Sequence, residues 1–249
     1  MTVSASDREA ALAPLLMKLR ARDRITPEEE KILGDSISEI RELPPGKTIV
    51  PAGVDVHQCT LLIEGIVCRY SDLADGQRQI MELHVGGDFL DLHSFLLKQL
   101  EHNVASMTPV RLAFVPHSAM KKVTEEQPHL TRMLWFSTLL DAAIHREAIL
   151  SMGRRSALSR LAHLMCELEV RMELIGRATR AGYSLDLTQA ELADCTGLTS
   201  IHVNRMLKKL RDDGLMTFRS GEVVIHDWDR LTKVAEFDPT YLYLEQRER

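Results

Sequence analysis

No CxxC pair occurs anywhere in this 249-residue chain, and its four cysteines, at 59, 68, 166 and 195, form no His/Cys cluster with zinc spacing. Scattered thiols of this kind point to a reduced, cytoplasmic setting, and no structural disulfide is expected. The opening MTVSASDREA has no basic segment leading into an apolar run, so no secretory signal is expected. The most apolar helical stretch, 134–149, is interrupted by Asp141, His145, Arg146 and Glu147, which excludes a membrane span there. Internal repeats and low-complexity runs are missing. So is bulk positive charge: the net charge is −5. Any nucleic-acid affinity must come from a local patch rather than from the field of the whole chain. Residues 153–226 hold eleven Lys or Arg against nine Asp or Glu, a local net of +2.

What is present is enough apolar material, 45%, for one large or two ordinary domains. The chain is organised around Leu187–His226, which reads as helix, tight turn, helix and small hairpin. Thr188 caps the first helix, and Glu191 three positions on completes a capping box. Gly197 supplies the sharp turn. Thr199 caps a second helix running to about Arg211. On that helix Val203, Leu207 and Leu210 form a stripe that must bury, with Met206 beside it. Ile201, Arg205 and Lys208 lie opposite, flanked by His202 and Lys209 on one side and Ser200 and Asn204 on the other. From Leu198 to Arg211 there are four Lys or Arg and no acid. A helix with an apolar back and a basic front, set by a glycine turn, suits the DNA major groove. An ordinary solvated αα-hairpin would share the charge pattern alone. The capping box, the turn and the following hairpin favour the DNA reading. Asp213-Gly214 ends the helix, and Met216–Arg219 and Glu222–His226 are expected strands around Ser220-Gly221, a wing with Arg219 at its tip.

In chain order, residues up to about 42 read as helical, with Thr26-Pro27 starting a helix and Ile32, Leu33, Ile37 and Ile40 as its buried stripe. Short strands are expected at Lys47–Val50, Thr60–Ile63, Ile66–Tyr70, Gln79–Val85 and Val104–Val115. Glycine turns separate them, which argues for an antiparallel barrel or roll enclosing a pocket. Thr124–Met152 reads as one long helix whose stripe of Met133, Leu140, Ile144 and Ala148 predicts a dimer seam. Gly153-Arg154-Arg155 is a hinge. Ser156 caps a further helix with Leu158, Leu161, Met165, Leu168 and Met172 inward, and Arg177–Ser184 is an expected loop.

The segments LPPGKTIVPAG, LLIEGIVCRY, GGDFLDLHSFLL and LTQAELADCTGLTSIHVNRMLKKLRDDGLM together resemble the Crp–Fnr family of bacterial transcription regulators, over about residues 30–228. The resemblance implies an α+β chain: an N-terminal antiparallel β-roll of the cyclic-nucleotide-binding type with its preceding helices (1–123), a dimerisation helix (124–152) and a winged helix-turn-helix (153–249). It implies a cytoplasmic homodimer on palindromic operator DNA, an RNA polymerase partner and no enzymatic activity. Of the DNA contacts, Arg205 matches the recurring recognition arginine, shaped to donate two bonds to guanine. Ile201 stands where a recognition glutamate is common, and its methyls could meet a thymine methyl. Ser200, His202 and Asn204 are further base-contact candidates. Thr188, Gln189, Thr199, Lys208, Lys209 and Arg219 are phosphate-contact candidates.

An effector pocket is expected around Gly87, Asp88, Phe89, Leu92, His102 and Asn103. Members that bind cyclic AMP carry a glutamate where Leu92 stands and an Arg-Ser or Arg-Thr pair near His102-Asn103. Neither replacement brings a permanent positive charge to a phosphate. The iron–sulfur branch needs an N-terminal cysteine cluster, and none precedes Cys59. Haem branches would draw on residues such as His57, Cys59, His84, His93 and His102, which read as structural. The expectation is therefore no resident cofactor or metal, and either a roll that senses an unidentified small molecule or a partner, or a regulator without a ligand that is controlled by its abundance. Two rivals are a cupin-like metal enzyme, for which no HxH pair is present, and a protein-interaction module on the same roll.

Overall fold

The structure is a computed structural model and describes residues 3–249. Helix α1 (Ala5–Arg20) starts at Ser4, whose side chain accepts from Asp7 N. Helix α2 (Pro27–Ser36) starts with the reciprocal capping box of Thr26 and Glu29. Here the chain departs from the helical pattern expected to residue 42. It leaves α2 at Ser36 and enters β1 (Glu39–Leu43). Ile37 is extended and buried, Ser38 N donates to Phe114 O at 2.9 Å, and β1 pairs antiparallel with residues 110–114. The three-residue spacing of Ile37 and Ile40 mimics a helix, and only a distant strand partner overrides it.

The roll follows: β2 (Thr48–Val50), β3 (Gln58–Glu64), β4 (Val67–Asp72), β5 (Arg78–His84), short helix α3 (Ser94–Leu97), β6 (Asn103–Ser106) and β7 (Val110–Pro116). Its two sheets have strand orders β1-β7-β3 and β2-β6-β4-β5. The single strand expected over 104–115 is two strands in different sheets. Residues 107–109 cross between them, held by Ile66 N donating to Thr108 Oγ1 at 2.9 Å and by Pro109, which has no N–H to give a ladder. The middle of the roll is packed rather than open. Val50, Val67 and Val104 of one sheet meet Leu62, Leu112 and Phe114 of the other, with Leu90 among them. A second cluster joins Leu12, Leu15, Leu16 and Leu19 of α1 to Leu33, Leu61, Phe89 and Met133.

Helix α4 (His117–Glu126) precedes α5 (Pro128–Arg154), so the long helix begins at Pro128, in the first turn where a missing N–H costs nothing. The rest of the chain comprises α6 (Ala157–Glu173), β8 (Ala178–Thr179), β9 (Gly182–Ser184), α7 (Gln189–Thr196), α8 (Ser200–Asp212), β10 (Met216–Arg219), β11 (Glu222–Ile225), α9 (Trp228–Ala235) and a 3-10 turn, Pro239–Leu242. Ser156 caps α6 as expected, and Leu161, Met165 and Leu168 are fully buried. The expected loop over 177–184 is instead the hairpin β8–β9. It extends the wing into a four-stranded sheet of order β10-β11-β9-β8. The buried Tyr183 pairs with Val223 across strands and donates its hydroxyl to Met165 O at 2.8 Å.

The chain forms two compact units. One comprises residues up to Tyr70, Leu83–Ala142 and Tyr243–Arg249, the other Ser71–Glu82 and Ala143–Leu242. No disulfide links the described cysteines, and Cys59, Cys68 and Cys166 are buried.

Candidate nucleic-acid interface

Helix α7 opens on Thr188, whose Oγ1 accepts from Glu191 N at 3.2 Å, while Glu191 Oε2 accepts from Thr188 N at 2.7 Å. Such caps contribute on the order of 1 kcal/mol each. Gly197 ends α7 with φ 62° and ψ 35°, the left-handed conformation that only glycine adopts at little cost. Thr199 then caps α8, accepting from His202 N at 3.2 Å. Val203, Leu207 and Leu210 bury the back of α8, each contributing roughly 1.5–3 kcal/mol.

The outer face projects to solvent as the spacing predicts. Ile201 is 76% exposed, an unusual place for an isoleucine. Ser200, Asn204, Arg205, Lys208 and Lys209 are exposed, and His202 is half-buried. Arg205 and Lys208 have no ion-pair partner among the described residues, whereas Lys209 pairs with Asp213 at 3.2 Å. Asn204 Nδ2 donates to Gln189 Oε1 at 3.1 Å, so Gln189 braces α8 against α7. Thr188 and Thr199 stand exposed at helix N-termini, where amides and helix dipoles favour phosphate. Arg219 is exposed at the wing tip, beside the two-residue turn in which Ser220 and Gly221 have φ 52° and 77°. This is the type I′ signature of a tight hairpin.

Two supports of this assembly are not marked by the local pattern. Arg160 on α6 donates from Nη1 to Thr196 O (2.7 Å), from Nη2 to Met152 O (2.8 Å) and from Nε to Ser151 O (3.2 Å). It thus satisfies carbonyls at the ends of both α7 and α5 that the helices cannot satisfy themselves. Gln79 Nε2 donates to Asp194 O at 2.8 Å. The signal for both residues is a polar side chain beside an apolar pattern, which is too common to read alone.

The expected dimer stripe on α5 requires correction. Met133 and Ile144 are 0% and 5% exposed and belong to the interior, and Leu140 and Ala148 are half-buried. The exposed apolar positions are Trp135 (65%), Leu139 (53%), Ile149 (69%) and Leu150 (48%), on another side of the same helix. A helix apolar on more than one side gives two stripes of similar period, and sequence spacing does not say which is claimed by the chain's own core.

Of the six residues expected around an effector, Gly87, Asp88, Phe89 and Leu92 line one small cavity of about 30 Å³ together with Lys18 and Phe136, and His102 and Asn103 do not line it. The Gly87 backbone presses against α1, where an added Cβ would lie 2.6 Å from Pro14 O. Asp88 pairs with Lys18 at 2.5 Å. Phe89 and Leu92 belong to the apolar cluster with Leu61. Buried His102 lies beside His93, their ring centroids 5.7 Å apart, and burial is the leading cause holding His93 down at about 4. Asn103 Oδ1 accepts from Ala52 N at 3.0 Å.

A permanent cation does lie in the roll, on β4 rather than β6. Arg69 is 2% exposed, donates to Leu90 O at 2.7 and 3.0 Å and pairs with Asp141 at 3.1 Å. Its charge is already met from within. Leu92 offers no acceptor to a ribose, Asn103 is committed to a turn and Arg69 to a carboxylate, so these residues do not fit a cyclic nucleotide held in the usual way. Among the described residues, no three His, Cys, Asp or Glu side chains are grouped as a metal would require.

Comparison with known proteins agrees with this geometry. Residues 159–234 match the Crp-like helix-turn-helix domain, and residues 40–127 match the cyclic nucleotide-binding domain. The chain is 26% identical over 216 residues to the transcriptional activator protein FnrL of Cereibacter sphaeroides, covering 84% of this chain and 86% of FnrL. It is 26% identical over 179 residues to the nitrogen fixation regulation protein FixK of Bradyrhizobium diazoefficiens, covering 70% and 72%. The solved structure of FixK2 from Bradyrhizobium japonicum shares the fold with a TM-score of 0.72 at 23% identity, over 79% of this chain and 96% of that one. With the roll, the long helix and the winged helix-turn-helix in that order, the chain belongs to the Crp–Fnr family of transcription regulators.

Proposed function

We propose that the chain acts as a cytoplasmic homodimer that presses the exposed face of α8 into successive major grooves of a palindromic operator, with half-sites about 34 Å apart. The observation that carries this reading is the outer face of α8 itself: Arg205 and Lys208 are exposed above a buried apolar back and, among the described residues, have no ion-pair partner. In this reading Arg205 reads guanine, and Ile201 packs on a thymine methyl. Ser200, His202 and Asn204 add base contacts, while Thr188, Gln189, Thr199, Lys208, Lys209 and Arg219 hold phosphates. Two copies of α5 meet along Trp135, Leu139, Ile149 and Leu150, whose exposure a second copy would remove.

Residues 1–123 act as the sensor, 124–152 as the dimer helix and 153–249 as the DNA-binding domain, with RNA polymerase as the downstream partner. The roll responds to a small molecule other than a cyclic nucleotide or to a partner, or the regulator works without a ligand and is set by its abundance; Arg69, Asp88 and Asn103, engaged within the first unit, speak against a cyclic nucleotide. Selection of bound duplexes from a random pool, with and without cell extract, tests the proposal. Recovery of a palindrome is the expected result, and recovery of no preferred sequence in either arm would refute it.

A further inference from the structure

We infer that the first unit carries a docking site for an arginine-bearing extended peptide, built by residues 20–23 and Phe136, and that residues 243–249 of this same chain are its occupant. The site and its occupant both lie outside the segments shared with the two family domains, 40–127 and 159–234. Helix α1 ends at Arg20: backbone N–H groups of residues 21–23 meet Met17 O and Leu19 O, and the Arg22 guanidinium meets Lys18 O, which leaves Arg20 O and Arg22 O, at the negative end of the helix dipole, to donors from further along the chain. Residues 246–249 supply what those carbonyls lack.

Arg247 N donates to Arg22 O at 2.9 Å, and Arg249 N donates to the Asp23 carboxylate at 2.6 Å. These two amides, two residues apart, thus both meet the segment that follows α1. Arg249 Nη1 donates to Arg22 O at 2.5 Å, with its guanidinium carbon 4.2 Å from the centre of the Phe136 ring. Gln246 Nε2 reaches Arg20 O at 3.4 Å, and Tyr243 meets Phe136 edge-on at 6.2 Å.

The chemistry selects arginine. A planar guanidinium can stack on the Phe136 face while still donating in its own plane to a carbonyl, which an ammonium cannot do. Asp23 makes occupancy favourable, because it is 6% exposed and a buried carboxylate needs every donor it can find. Arg24 N and Arg249 N donate to it, and His129 Nε2 lies 3.4 Å away. Departure of the segment would strip one of these partners. The occupant belongs to the same chain and the same compact unit as its site, so the two meet intramolecularly. An outside peptide must displace it.

Amide exchange in the full chain tests the inference. In the wild type, the amides of Arg247 and Arg249 should exchange about tenfold or more slower than in the free peptide. In Arg249→Ala, the Arg247 protection should fall away while that of residues 189–212 is unchanged. The vacated site of Arg249→Ala should then take up the capped peptide EQRER with saturable heat, and EQREA about tenfold more weakly. The wild type should take up neither. Free-peptide exchange rates in the wild type, or equal binding of EQRER and EQREA, would overturn it. Neither readout depends on DNA, so failure here and failure of the DNA-binding proposal are separate results.

Discussion

Arg160 and Thr196 are joined by a hydrogen bond of 2.7 Å from guanidinium to carbonyl, and the same guanidinium holds Met152 O at 2.8 Å. One side chain thus ties the last turn of α5 to the turn before α8. Arg160→Ala should destabilise the second unit by about 1–3 kcal/mol, because several carbonyls lose their donor together. Arg160→Lys should recover only part of this, since an ammonium cannot span the same fork. Thermal unfolding checks both, and an unchanged midpoint for the alanine variant would show that water replaces the guanidinium.

Arg205→Ala should cost about 1–3 kcal/mol of operator affinity and relax discrimination at one guanine per half-site. Affinity measured on a series of single-base variants shows this. Equal losses at every base would reassign Arg205 to the phosphates.

Lys208→Ala should weaken binding to all duplexes alike and lower the slope of log affinity against log salt by about one for each phosphate no longer neutralised. Lys209→Ala should do less, since its ammonium is already shared with Asp213 at 3.2 Å. A sequence-selective defect in either variant would contradict a phosphate role.

Leu139→Glu should shift the chain from dimer to monomer in sedimentation, because it places a charge among the exposed apolar positions of α5. Leu139 is 53% exposed, so the substitution should leave the fold of the monomer intact. A dimer of unchanged affinity would move the interface elsewhere.

His129 sits between two carboxylates, Nδ1 at 2.5 Å from Glu29 and Nε2 at 3.4 Å from Asp23. Burial works against its charge, but the two carboxylates prevail and raise it above its ordinary 6.5. Asp23 and Glu29 are likewise opposed by burial, yet hydrogen bonds and His129 lower them below 3.8 and 4.5. The stabilisation from His129 is complete below pH 6.5 and is lost as pH rises through its raised value. That from the carboxylates is complete above about 4.5 and is lost as pH falls through their lowered values. Stability should therefore peak between these limits. His129→Gln should flatten the alkaline side when unfolding is followed by denaturant titration at several pH values.

Local chemistry was enough to read the helix-turn-helix from the chain. Thr188, Glu191, Gly197 and Thr199 act through backbone groups within a few residues of themselves, and the 3.6-residue period separates Val203 and Leu207 from Arg205 and Lys208 whatever surrounds them. The capping box at Thr26 and the wing turn at Ser220-Gly221 were legible for the same reason. Tertiary structure decided everything that depends on a distant partner. Ile37 and Ile40 carry a helical spacing, but Phe114 and its neighbours draw the second of them into a strand. Residues 178–184 look like a loop until Val223 offers them an edge. Met133 and Leu139 are equally plausible faces of one helix, and only the packing of α1 and the roll shows which is already covered. Arg69 lies within an expected strand, and only Leu90 and Asp141, brought from elsewhere in the chain, make it a buried cation. A one-dimensional pattern specifies periods and caps, while burial is a property of what the rest of the chain brings to the same place.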